Sequence, residues 1–370
     1  MKIQQIITLL DQWAPTTYAE DFDNVGLLVG NPNSICTGIL IAHDVLENVV
    51  EEAIERGMNL IVGFHPIIFS GLKKLNEKTY VERVVAKAIK NDIALYALHT
   101  ALDNHQYGVS HALAKNLGLK NIEILVPQFQ TLKQLRVYVP KDAAESLLEK
   151  LYQVGAGKVG NYAECSFTTT GTGTFKGNAD AKPFIGNIEN REKVEEAQLN
   201  LGFHKHLEQK IFRSLFEHHP YEEIAYEIYP LENLDRSIGM GCIGELDFEI
   251  PTKDFLELLS RKLDIQFLRH STLGKQKIKK VAVLGGSGSF AIPHAIHAGA
   301  DAFVTGDMKY HDFFKAENKI LLVDAGHYET ERFTKKIIHE YLIEKMPNFA
   351  IALAKSKTNP VNYFSDGQKK

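Results

Sequence analysis

Fifteen histidines and only three cysteines occur in this chain of 370 residues. Several histidines stand four residues from a carboxylate: His99 and Asp103, Asp307 and His311, His327 and Glu331. His65 stands alone before the proline of the segment GFHP. Imidazole nitrogen and carboxylate oxygen together suit a divalent transition ion such as Zn, Fe, Mn or Ni. If a helix opens near residue 327, His327 and Glu331 share one face, near enough to hold one ion or two adjacent ions. The plainer alternative is a hydrogen bond on a helix surface. Of His99 and Asp103, one would ligate while the other fixes a ligand's tautomer. Asp307 and His311 suit supports behind the ligands, or general acid–base work on a water. A helix N-cap is the plainer role for Asp307.

These residues follow segments that read as strands. Residues 38–44, 58–63 and 92–98 are apolar runs, separated by amphipathic stretches at 45–57 and 79–91, after an opening helix at 3–13. That alternation predicts a mostly parallel sheet covered on both faces. The style returns with strands at 278–284, 301–305 and 319–324, a helix near 290–299 and another over 328–345. Ligands bind beyond the carboxyl ends of such strands, and His65, His99, Asp103, Asp307, His311, His327 and Glu331 all fall there. Aligning 52–65 with 294–307 matches Ala53 with Ala295, Ile54 with Ile296, Gly57 with Gly299 and Val62 with Val304. His65 and Asp307 then occupy the same strand end in two similar halves, unless any two helix–strand units would look this alike.

Between the halves the texture changes. Strand 135–140, helix 142–155, a Thr- and Gly-rich hairpin over 162–175, strand 194–203, helix 206–218 and strand 222–231 follow in a ferredoxin-like order. This predicts a module inserted into a surface loop of a discontinuous outer domain. Its His218-His219-Pro220 motif suits a turn and packing, and His204 and His206 suit the surface. The GGSGS run at 285–289 offers backbone N–H groups to an anion, or a close backbone approach to the ions. The tail from 355 reads as irregular.

Composition excludes several classes. A chain of this length exceeds the about 250–300 residues at which one core stops growing, so two domains are expected. Lys and Arg number 42 against 46 Asp and Glu, a net charge of −4 that makes nucleic acid a poor partner. No apolar run approaches the ~20 residues of a membrane helix, and the opening MKIQQIITLLDQW lacks the pattern of a signal peptide. Cys36, Cys165 and Cys242 lie far apart without a CxxC, as expected of a cytoplasmic protein with neither disulfide framework nor thiolate zinc site.

The segments AEDFDNVGLLVG (19–30), NLIVGFHPIIFSGLKKL (59–75), LHTALDN (98–104), VAVLGGSGS (281–289), GADAFVTGDMKYHD (299–312) and LLVDAGHYETE (321–331) resemble, in order, the NIF-three-like proteins, known as GTP cyclohydrolase 1 type 2 homologues. The region ending in HHPYEEIAYEIYPL (218–231) is similar to the insert of the family's longer bacterial members, itself PII/CutA-like. The resemblance implies an α/β outer domain (1–130 with 231–370) and an inserted α+β domain (131–230). It also implies two divalent ions per chain inside a toroidal homo-oligomer, usually a hexamer. The family's ligand positions fall on His65, Asp103, His327 and Glu331. A histidine pair is usual before the proline, and here Phe64 stands in place of the first. His43, at the end of strand 38–44, is a candidate substitute if that strand neighbours 58–63. The expected function is a dinuclear-metal hydrolase acting on a nucleotide or other small molecule, in a GTP cyclohydrolase-like or phosphoesterase-like reaction. His99, Asp307 or His311 would move protons. The alternative is a non-catalytic metal-binding or regulatory protein whose insert senses a small molecule.

Overall fold

The computed structural model describes residues 1–274 and 277–364; the last six residues of the tail lie outside them. The chain divides into two compact units, residues 1–127 with 236–370, and residues 128–235.

In the first unit, α1 (Ile3–Trp13) precedes β1 (Gly26–Val29), β2 (Ile39–Ala42), α2 (Glu47–Glu55), β3 (Leu60–Gly63), α3 (Tyr80–Lys90) and β4 (Ala94–Ala97). Two helices, α4 (His99–Asp103) and α5 (Val109–Leu117), lead to β5 (Lys120–Pro127). Every residue of β2, β3 and β4 is buried, as strands covered on both faces must be. Ile39, Ile41, Leu60, Val62 and Tyr96 face α1. Leu40, Ile61 and Leu95 face α2 and α3.

The second unit consists of β6 (Leu132–Pro140), α6 (Ala144–Gln153), β7 (Phe167–Phe175), β8 (Glu192–His204), α7 (Glu208–His218) and β9 (Tyr226–Pro230). Its sheet runs β7-β8-β6-β9 and is antiparallel throughout, the order of a ferredoxin-like unit. Residues 162–175 do not fold back on themselves: β7 pairs along its whole length with β8.

The chain returns to the first unit with β10 (Gly239–Pro251), α8 (Thr252–Leu263), β11 (Arg269–His270), β12 (Lys277–Ser287), α9 (Ile292–His297), β13 (Ala302–Gly306), β14 (Leu321–Asp324), α10 (His327–Glu331), α11 (Thr334–Lys345) and β15 (Ile351–Leu353). Here the expectation of a mostly parallel sheet needs correction. The unit holds two sheets, β1-β4-β3-β2-β15 and β11-β14-β13-β12-β10-β5, and in the second only β12-β13 and β13-β14 are parallel. Both sheets share one plan. Three parallel strands sit side by side, and a short strand preceding them in the chain lies antiparallel against the last. The halves also exchange edges, since β5 joins the second sheet and β15 the first.

Two local expectations differ as well. The glycines at 285 and 286 continue β12 to Ser287 rather than forming a loop. The single helix over 328–345 is broken at Arg332–Phe333. The break lets α10 bury Glu329, Thr330 and Glu331 while α11 packs Ile338 and Leu342 onto the first sheet.

Candidate metal centre

The carboxyl ends of the parallel strands bring the chemical residues together. His43 and Asp44 follow β2, His65 follows β3, and His99 opens α4 directly after β4. From the other half, Asp307 follows β13, and His327 opens α10 after β14 with Glu331 one turn on.

Glu331 is the hub. Its carboxylate oxygen Oε2 lies 3.1 Å from His327 Nε2, 3.3 Å from His65 Nε2 and 3.5 Å from His43 Nε2. His65 Nε2 and His327 Nε2 are 3.4 Å apart. Oε2 is fully buried and accepts no well-formed hydrogen bond. An orphaned carboxylate oxygen ringed by imidazole nitrogens is costly unless a cation compensates it. Gly286 makes the approach possible, because a Cβ there would collide with Glu331, and its φ of +66° favours glycine. Among the described residues two groups have the spacing to hold an ion: His65, His327 and Glu331, and His43, Asp44 and His65.

The other ring nitrogens are tied to carboxylates. His65 Nδ1 donates to Asp44 at 2.8 Å, His327 Nδ1 to Asp307 at 2.6 Å and His99 Nδ1 to Asp23 at 2.8 Å. Such bonds set the tautomer that leaves Nε2 free for an ion. His43 Nδ1 lies 3.1 Å from Thr334 Oγ1, so its Nε2 also faces Glu331. Asp23 receives the Thr100 hydroxyl and backbone N–H as well, which fixes the turn where His99 has a φ of +31°.

The charges reinforce one another. Burial works against protonated imidazole, yet Asp44 and Glu331 push His65 up to about 10. Glu331 and Asp307 likewise outweigh burial and push His327 up to about 9. Burial would raise Glu331, but the imidazoles of His327, His43 and His65 beside it hold it well below the usual carboxylate range. Burial, and then the Glu331 charge, raise Asp103 well above that range.

The structure therefore gathers His65, His327 and Glu331, with Asp103 within reach of their charge and Asp307 behind His327. It does not gather His311, which is exposed and touches Tyr310 and Phe314. The expected alignment of His311 with Asp307 assumed an α-helix. Asp307 precedes the 3-10 helix Tyr310–Ala316 and has a φ of +53°, so no helix joins the two residues. Asp44 and Asp23 were missed, and each is an acid beside a strand or turn with no histidine at helical spacing to mark it.

Phe64 has no exposure and belongs to the core with Val62 and Leu98. Its ring lies 5.5 Å from that of His43 and 4.9 Å from that of His65. His218 and His219 serve the second unit: His218 Nδ1 donates to the Ser214 carbonyl, and His219 engages the Tyr138 carbonyl and the Tyr221 N–H.

Residues 1–360 match the family model described as Duf34/NIF3 (NGG1p interacting factor 3). The chain belongs to this family. A Bacillus subtilis member named GTP cyclohydrolase 1 type 2 homolog is 38% identical over 373 residues, covering 97% of this chain and 98% of that one. The crystal structure of a Bacillus cereus protein related to NIF3 aligns with a TM-score of 0.82 at 36% identity, over 98% of this chain and 99% of that one. A Staphylococcus aureus structure aligns at 0.77 and 32% identity, with the same coverage. This Duf34/NIF3 chain thus has a mixed α/β fold with relatives of its own length. Among its described residues no helix is long and apolar enough to cross a membrane.

Proposed function

We propose that this Duf34/NIF3 chain is a metal-dependent hydrolase of a nucleotide or another small phosphate-bearing molecule. The observation that carries the reading is the orphaned Glu331 oxygen facing three imidazole Nε2 atoms. His65, His327, Glu331 and Asp103 would hold two divalent ions of the Zn, Fe, Mn or Ni type, and His43 would supply a donor where Phe64 has none. Bound there, the ions would supply Lewis acidity for hydrolysis. The chain's own residues orient and move protons. Asp44 and Asp307 hold the rings of His65 and His327, and Asp23 holds His99, leaving its Nε2 as the proton-exchanging atom. His311 has no part in this reading. The name of the Bacillus subtilis relative supports a GTP cyclohydrolase-like substrate. The reading includes self-assembly into a homohexamer and a cytoplasmic location, the latter supported by free Cys36, Cys165 and Cys242. The second unit would be a PII/CutA-like accessory module.

The test is turnover of GTP and a panel of phosphoesters by the metal-loaded chain, compared with Asp103→Asn. Loss of at least about tenfold in the variant is expected. Equal turnover in both proteins would overturn the hydrolase reading. A metal-loaded chain that turns over nothing would favour a non-catalytic metal-binding or regulatory role, for which the buried Phe64 speaks.

Phe64→His places an imidazole among His43, His65 and His99, whose rings lie 4.9 to 5.6 Å from that of Phe64. The variant is expected to retain more divalent ion per chain after dialysis against limiting metal. Unchanged content, measured by elemental analysis, would show that no donor is lacking at this position.

A further inference from the structure

The second unit carries a cavity of about 620 Å³ that the metal chemistry does not use. It lies where the end of β7, the segment before β8 and the turn after α7 meet. Phe175, Phe184 and Tyr221 line it. The Tyr221 ring is 6.0 Å from Phe175 at 62° and 6.4 Å from Phe184 at 57°. Rings so inclined form walls rather than a stack, and each face presents negative quadrupole potential.

Charge adds to this. Glu196, Glu222, Glu223 and Asp180 line the cavity against a single basic residue, Lys176. Among the described residues no ion pair reaches Glu196, whose carboxylate accepts the Tyr221 hydroxyl at 2.8 Å. Burial and this carboxylate push the Tyr221 hydroxyl up, so it stays a neutral donor. Gly173 on the neighbouring strand gives the Glu196 carboxylate its space, since a Cβ there would collide with it. Glu222 accepts the Lys182 backbone N–H at 2.6 Å, which anchors the segment that carries Phe184. The Tyr-Glu-Glu part of HHPYEE, unexplained by the metal site, thereby acquires a role. His219 backs the cage with its ring 5.3 Å from that of Tyr221.

We propose that the cavity walled by Phe175, Phe184 and Tyr221 and floored by Glu196 binds a small organic ammonium ion. The aromatic faces take the cationic head by cation–π attraction, and the carboxylates complement its charge. The volume is that of a small-molecule site.

The experiment titrates the full chain with choline, and with the uncharged analogue carrying carbon in place of nitrogen, at constant physiological salt, by calorimetry. Choline is expected to bind, and the analogue about tenfold more weakly or worse. Glu196→Gln and Phe184→Ala are each expected to weaken choline about fivefold or more. Phe184 is 62% exposed, so its loss is expected to leave the fold intact, and circular dichroism of both variants checks this. No binding of choline to the parent chain would overturn the proposal. So would equal affinity for the uncharged analogue, or unchanged affinity in the two variants. These outcomes are independent of whether the metal centre is catalytic.

Discussion

Glu331→Gln is expected to weaken divalent-ion binding by about a hundredfold or more, the largest loss of any single substitution in the centre. Glutamine keeps the shape of the side chain but removes the negative charge that three Nε2 atoms surround at 3.1 to 3.5 Å. It also puts an amide against Gly286, where the backbone leaves little room for rearrangement. A change behind the ligands, such as Asp307→Asn, acts only through the orientation of His327 and is expected to cost less. Ion content per chain after dialysis, with circular dichroism as a control for folding, checks both. If Glu331→Gln retained its ions, the carboxylate would not be a ligand and the centre would have to be rebuilt around His43, Asp44 and His65.

Ion affinity is also expected to climb steeply with pH, because His65 and His327 are protonated in the metal-free chain. Their partners raise them to about 10 and about 9 from an ordinary 6.5. An imidazole must lose its proton before it can ligate, so at neutral pH binding should release about two protons per chain. Calorimetry in buffers of different ionisation enthalpy reads that number directly. The sign for folding is the reverse. Pairs of raised histidines with Asp44, Asp307 and Glu331 stabilise the metal-free chain fully below pH 6.5, and that contribution is lost as pH rises through 9 to 10. The urea midpoint of the metal-free protein is therefore expected to fall over this range, while the ion-loaded protein holds steadier. Glu331→Gln should flatten both trends. A pH-independent affinity between 6 and 9 would mean that the rings are already neutral and that the carboxylates do not hold their protons.

Much of this was legible in the residues. Apolar runs marked β2, β3, β4, β13 and β14, since strands covered on both faces have no polar alternation to confuse them. The i, i+4 spacing of His327 and Glu331 identified α10 because both lie on one short helix. What escaped was information carried by tertiary contact. Nothing local in GMGCIGELDFEIP shows that β10 joins β5 to β12 as an antiparallel bridge. Asp44 and Asp23 gain their meaning only from histidines 21 and 76 residues away. His311 misled because a helical spacing does not show that one helix spans both residues, and here the helix begins at Tyr310, after Asp307. The likeness of 52–65 to 294–307 pointed at the shared plan of the two sheets, although neither segment shows that they are separate sheets.

The traded edges, β5 in one sheet and β15 in the other, link the fate of the two halves. Neither can be pulled off its sibling without stripping a strand from a ladder, so parting the halves at the seam where His65 meets His327 would break those ladder hydrogen bonds. A cut that frees residues 346–364 takes β15 from the first sheet and should loosen that distant half as surely as a lesion beside His65 and His327.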